Sequence, residues 1–150
     1  MLLVNLTLAG LLVTVTFILH FVGMVGLTWF MRKRLSKHPH RMTSVFWQGA
    51  AIVFVVLGLF ALHSMQIWIY AFVYLALGEF SSVETALYFS TSTFTTVGFG
   101  DIVLADEWRM LAAAESANGF LLIGWSTAFL VSVTSRLRIF EADIEHLEAD

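Results

Sequence analysis

Three apolar runs divide the chain. Leu2 to Met31 and Val45 to Leu77 contain no Asp, Glu, Lys or Arg, and Trp108 to Val133 contains only Arg109 at its edge and Glu115. Crossing a bilayer takes about 20 apolar residues, so each run predicts a spanning helix. Residues 78–107 lie between the second and third runs and are too few for a soluble domain. They begin GEFSSVETALYFSTSTF. Ser81, three residues before Glu84, has the spacing of a capping box with Ser81 as N-cap. Val83, Ala86, Leu87 and Phe94 then supply one apolar stripe. A helix over 82–94 is predicted, too short to span and therefore re-entrant.

The stretch TSTFTTVGFGDIV, residues 91–103, follows on that helix. Non-helical backbone at membrane depth is tolerated only where it is buried in protein or lines a watery cavity. Gly98 and Gly100 alternate with Val97 and Phe99. Glycine takes left-handed conformations without steric cost, and such residues at alternate positions aim successive carbonyls to one side. Repeated by four chains around an axis, these carbonyls form oxygen cages that replace the hydration shell of a monovalent cation. The Thr96 hydroxyl can add a ring of ligands at the inner end. The short helix would direct the partial negative charge of its C-terminus toward the cavity, which favours a cation there.

TTVGFGD, residues 95–101, resembles the signature of the tetrameric potassium-channel pore-loop family, usually TTVGYGD. The resemblance covers about residues 45–137. It implies an outer helix over 45–77, a pore helix over 82–94, a filter over 96–100 and an inner helix over 108–137. By that resemblance Thr96, Val97, Gly98, Phe99 and Gly100 hold K⁺ ions. Thr95, Asp101, Tyr88 and Ser92 support them, with Asp101 anchoring the outer end. Phe99 stands where the family commonly has tyrosine. Tyr88 and Phe89 stand where many members have paired tryptophans. Tyr88 is either a hydrogen-bond donor to Asp101 or an aromatic wedge against the second run. Ser92 occupies a place that is glutamate in some members, so the anchoring of Asp101 must differ.

In the third run, Gly119 and Gly124 are candidates for a gating hinge, or for close helix packing, which small residues permit in lipid. Glu115, Gly119 and Ser126-Thr127 are also similar in pattern to inward-rectifier inner helices. Glu115 is an ionisable residue within a span and so a functional candidate. It serves either as a structural partner of Ser90 or Thr93 or as a cation-attracting or proton-sensing acid. Leu137, Phe140, Ile144 and Leu147, with Leu130 and Val133 before them, have the spacing of an a/d seam, so the tail 138–150 forms either a short helical bundle or a frayed end. His20 and His63 lie at different estimated depths, with His20 nearer the inner face, and read as packing histidines and not as metal or haem ligands.

Composition agrees with the membrane assignment. The chain of 150 residues is 59% hydrophobic and 13% charged, against about 25% charged in average soluble domains. A secretory signal peptide fits the first run poorly, because that run has no basic n-region and is too long. There is no cysteine, and the net charge of −3 points to no nucleic-acid partner. Charge is segregated along the chain. Residues 32–41 hold five of the eight Lys and Arg, whereas 78–107 carry Glu79, Glu84, Asp101, Asp106 and Glu107. Excess Lys and Arg mark the cytoplasmic side, which places the N-terminus outside and the C-terminus inside the cell membrane. Trp29, Trp47, Trp68 and Trp108 flank the runs where an aromatic belt is expected.

The expected fold is an all-α membrane protein with three transmembrane helices and a re-entrant pore helix, assembled as a homotetramer. Residues 1–31 form an additional spanning helix, 32–44 a basic loop able to bind anionic lipid, 45–137 the pore domain and 138–150 the tail. The first run has no arginine row and is no voltage sensor; it is given no role beyond packing outside the pore helices. The expected function is passive, selective K⁺ conduction, with K⁺ in the filter, no other cofactor and no enzymatic activity. A nonselective monovalent cation channel and a non-conducting accessory or scaffold subunit are the alternatives.

Overall fold

A computed structural model describes residues 2–37 and 45–136. Four helices follow one another: α1 (Leu2–Lys37), α2 (Val45–Ala76), α3 (Val83–Phe94) and α4 (Arg109–Arg136). Three of them, α1, α2 and α4, are long and apolar enough to cross a membrane. The protein is thus an all-α integral membrane protein with one short helix between its second and third spans. α1 has 36 residues, about 54 Å at 1.5 Å per residue. It therefore outruns the hydrocarbon core and continues through the basic residues that follow Met31. The rest of the basic loop and the heptad tail from Leu137 lie outside the described residues.

The ends of the elements follow from local chemistry. α2 stops in a Schellman motif. Gly78 takes φ +78, its N–H donates to Leu75 O, and the Glu79 N–H donates to Tyr74 O. At the start of α3 the expected capping box is corrected. The N-cap is Ser82, with φ −121 and ψ 134, and it makes no side-chain cap bond. The helix starts one residue later than a box on Ser81 requires, so Glu84 lies one position too near the cap to reach back to it. Its charge still sits in the first turn, where the helix dipole favours an acid.

Lipid supplies no hydrophobic drive between helices, so close van der Waals contact holds spans together. α1 and α2 run antiparallel and interlock through glycine. A Cβ on Gly23 would overlap the Leu62 side chain, and one on Gly58 would overlap the Leu27 side chain. Each glycine makes room for the leucine opposite.

Two apolar clusters result. The one at the α3 end holds Leu12, Tyr70, Tyr74, Phe89, Phe94, Leu111 and Leu122 among its members. The other holds Met24, Val55 and Leu59, with Phe129, Leu130 and Val133 packed against it. Between them lies a polar layer. Thr16 and His20 from α1, Gln66 from α2 and Asn118 and Ser126 from α4 are all buried.

Two expectations are corrected by this layer. His20 and His63 share one depth, their rings stacked 5.2 Å apart. In two antiparallel helices, residues whose numbers have a constant sum lie level. Gly23 faces Leu62 and Leu27 faces Gly58, so His20 falls within two residues of the level of His63. The first helix also does more than cover the pore helices. It contributes Asn5, Thr16 and His20 to the buried polar set, and the Asn5 side-chain amide donates to the Glu107 carbonyl just before α4.

Candidate functional site: the loop after α3

The loop begins where α3 runs out of donors. The Thr95 N–H bonds Thr91 O at 3.1 Å and the Thr96 N–H bonds Thr93 O at 3.0 Å. The Thr95 hydroxyl also donates to Thr91 O, at 2.7 Å. From there every second residue has positive φ: Thr96 at 63°, Gly98 at 54° and Gly100 at 77°. Two of these are glycines, for which the conformation is free. Thr96 is β-branched and is an outlier there. Strain of this kind costs about 1–3 kcal/mol, persists only where the surroundings over-determine it, and clusters at functional sites.

Ser92 sets the direction of the loop. Its carbonyl accepts the Gly98 N–H at 3.0 Å, and its hydroxyl accepts the Phe99 N–H at 3.3 Å. Two consecutive amides thus point at one residue of α3. Every peptide bond among the described residues is trans, and in a trans unit the carbonyl of one residue points opposite to the N–H of the next. The carbonyls of Val97 and Gly98 therefore both point away from α3, to the same side. An ordinary strand would alternate them.

Farther along, Asp101 is held on both oxygens. Tyr88 donates its hydroxyl to Oδ2 at 2.9 Å, and the Ile102 N–H donates to Oδ1 at 3.1 Å. The hydrogen bond to Asp101 raises the Tyr88 phenol above its ordinary 10.0, with smaller contributions from desolvation and from the charge of Asp101. The Tyr88 ring stacks on Phe99 at 6.3 Å and 10°. Glu79 accepts the Ala105 N–H at 2.8 Å and ties the returning strand to the end of α2. Residues 95–101 are all exposed in the single chain.

Beneath the loop, α3 is fastened to two spans. Glu115 on α4 is fully buried. Its Oε2 accepts the Tyr74 hydroxyl and its Oε1 accepts the Ser90 hydroxyl, both at 2.5 Å. Ser90 also lies 3.0 Å from Ile67 O on α2. The two glycines of α4 differ. A Cβ on Gly119 would stand 2.8 Å from the Phe94 carbonyl carbon and would overlap its oxygen, whereas one on Gly124 would meet nothing within 4 Å. Packing therefore has a partner at Gly119, which lets the end of α3 rest on α4, and none within the chain at Gly124.

Thr95–Asp101, Tyr88 and Ser92 come together in one place; Glu115 and Gly119 underlie it, and Gly124 stands apart. Sequence reasoning missed Tyr74 and the left-handed Thr96. Tyr74 carries a signal in hindsight: Gln66, Tyr70 and Tyr74 recur every four residues on one face of α2, and Glu115, Asn118 and Ser126, three and eight residues apart, share a face of α4. Polar residues at helical spacing inside spans mark facing seams. Thr96 carries none, since its type argues against its conformation.

No curated protein and no solved structure matches the chain. A family model described as an ion channel matches residues 42–136, which takes in α2, α3, the loop and α4 but not α1. That match covers well over half of the chain, and with the three spans and the re-entrant loop it places this protein in the ion channel family.

Proposed function

We propose that this channel is a potassium-selective homotetramer in which the carbonyls of residues 96–99, with the Thr96 hydroxyl, form successive K⁺ sites. The observation that carries the reading is the pair of amides of Gly98 and Phe99 converging on Ser92, which turns the carbonyls of Val97 and Gly98 to one side. One chain supplies one wall of such a conduit, so four are needed to close a cage around an ion. Gly100 lets the chain turn out of the filter, and Asp101 and Tyr88 brace its outer end. Ser92 does from α3 what a tyrosine hydroxyl at position 99 would otherwise help to do. The permeant K⁺ ions are the bound ligands; no organic cofactor is required. Anionic lipid at residues 32–41 is a further proposed partner, on charge alone.

The test is the reversal potential of purified protein in planar bilayers under opposed K⁺ and Na⁺ gradients. The expected value lies near the K⁺ equilibrium potential. A value near zero makes the protein a nonselective cation channel, and the absence of current makes it an accessory subunit. Phe99→Tyr should leave the value nearly unchanged, because it restores the residue that the resembling family commonly has at that place.

Charge segregation supports an extracellular N-terminus and loop and a cytoplasmic C-terminus. The chain has no cysteine, so single cysteines at Ser36 and Ser82 report cleanly. An impermeant thiol reagent applied to intact cells should label position 82 and spare position 36. The reverse pattern would overturn both the topology and the outer mouth assigned to Asp101.

A further inference from the structure

Midway along the spans, four side chains from three helices close a ring. The atom of Gln66 that faces the Thr16 carbonyl, at 3.2 Å, is Nε2. A carbonyl can only accept, so the orientation of this amide is determined. The same Nε2 faces His20 Nδ1 at 3.2 Å, which must then accept. Neutral His20 therefore carries its proton on Nε2, which lies 3.2 Å from Ser126 Oγ and donates to it. On the other side, Gln66 Oε1 lies 3.1 Å from His63 Nδ1. The amide oxygen can only accept, so His63 carries its proton on Nδ1. Its bare Nε2 accepts the Ser126 hydroxyl at 3.0 Å. The donors run in one sense, from Gln66 to His20 to Ser126 to His63 and back to Gln66.

Every ring nitrogen is used, and the acceptor left over within the ring is the second lone pair of Ser126 Oγ. A proton added at His20 Nδ1 would face the Gln66 amide, donor against donor. A proton added at His63 Nε2, by contrast, would be accepted by the second lone pair of Ser126 Oγ once the serine hydroxyl turns away. Flipping Gln66 does not help, because its oxygen would then face the Thr16 carbonyl and its NH₂ the His63 Nδ1–H. The ring therefore holds only while His20 is neutral. His20 is fully buried, and its stacked neighbour His63 is partly buried.

Among the described residues no charged side chain stands ready to compensate. α1 presents Thr16, α2 presents Tyr70, and α3 presents Phe94, whose ring lies 5.8 Å from His63. α4 presents Trp125, 5.5 Å from His20. The acid on α4, Glu115, is bound to Tyr74 and Ser90 and stands about 16 Å from Ser126 along the helix. Tyr70 accepts from Asn118.

We propose that this ring is a proton-released latch: with His20 neutral it ties α1 to α4 across α2, and a proton taken up on His20 opens it and frees the lower half of α4 from α1. Histidine is the side chain that changes charge in the physiological range, so acid favours the open form. The inference does not depend on which cation the channel selects.

Two measurements test it on the full-length protein in liposomes. The first is nitrogen NMR of histidine-labelled protein in which His38, His40 and His146 are replaced by Gln. At about pH 8, above the ordinary histidine pKa of ~6.5, one imidazole should carry its proton on Nε2 and the other on Nδ1. Identical tautomers, or a charged ring, would overturn the assignment. The second is a spin-label distance between cysteines at Val25 on α1 and Val131 on α4, in labelled chains diluted with unlabelled ones. The distribution should be narrow at about pH 8 and longer and broader at about pH 4, well below that ordinary pKa, because a ring that holds only neutral His20 yields to a proton below it. The double variant H20Q/H63Q, which has no imidazole here, should show no such response. An unchanged distribution in the native ring, or an equal response in the variant, would refute the latch.

Discussion

Gly98→Ala should abolish K⁺ selectivity or conduction while leaving the helices folded. Gly98 has φ +54, where a Cβ costs about 1–2 kcal/mol. In a tetramer that cost recurs in each chain, about 4–8 kcal/mol in all on the same basis. Every ~1.4 kcal/mol is tenfold in population, so even the lower figure shifts a conducting arrangement by about a thousandfold. Thr96 already carries one such strain two residues earlier, at φ 63. Relief comes by rotating a peptide unit, and the Gly98 N–H bond to Ser92 O is the bond that rotation breaks. The Val97 carbonyl then leaves the common side. Nothing stands within 4 Å of the new Cβ in the single chain, so the fold of each chain should be spared. Circular dichroism should match the unmutated protein while the reversal potential moves toward zero or the current vanishes. Unchanged selectivity in the variant would remove Gly98 from the filter.

Gly119→Ala should prevent α3 from seating, and Gly124→Ala should not. At Gly119 the obstacle is the backbone of Phe94, which cannot swing aside as a leucine tip can. Overpacking a well-packed core costs roughly 1–3 kcal/mol, and here the strain falls on the helix that carries Ser92. The filter loop would shift with it. At Gly124 a methyl meets nothing within the chain, and alanine in a helix interior is better than glycine by roughly 0.5–1 kcal/mol. Thermal unfolding in detergent should therefore show a lowered midpoint for Gly119→Ala and an unchanged or raised one for Gly124→Ala. Equal midpoints would mean that Phe94 yields freely. Lost conduction in a stable Gly124→Ala would instead mark that glycine as a hinge.

Three spans, a short re-entrant helix and a family likeness in TTVGFGD were legible in the residues alone. The reason is physical. Lipid demands long apolar runs, and a backbone at membrane depth without helical bonds needs a cavity; both demands are met by local composition. Gly98 and Gly100 announced left-handed backbone because only glycine adopts it freely. What local composition could not decide is which side chains meet. The N-cap fell on Ser82 because the helix start is set by how α3 docks, not by the box spacing. Ser92 became the anchor because the loop doubles back on α3, a path that no spacing rule encodes. His20 and His63 became neighbours because Gly23 and Gly58 set the slide of α1 on α2. Sequence determined which stretches are long and apolar enough to span a membrane and where the backbone is irregular. Only the tertiary structure decided the partners, since a hydrogen bond between residues 106 positions apart, as between His20 and Ser126, depends on the register of whole helices and not on any stretch of chain.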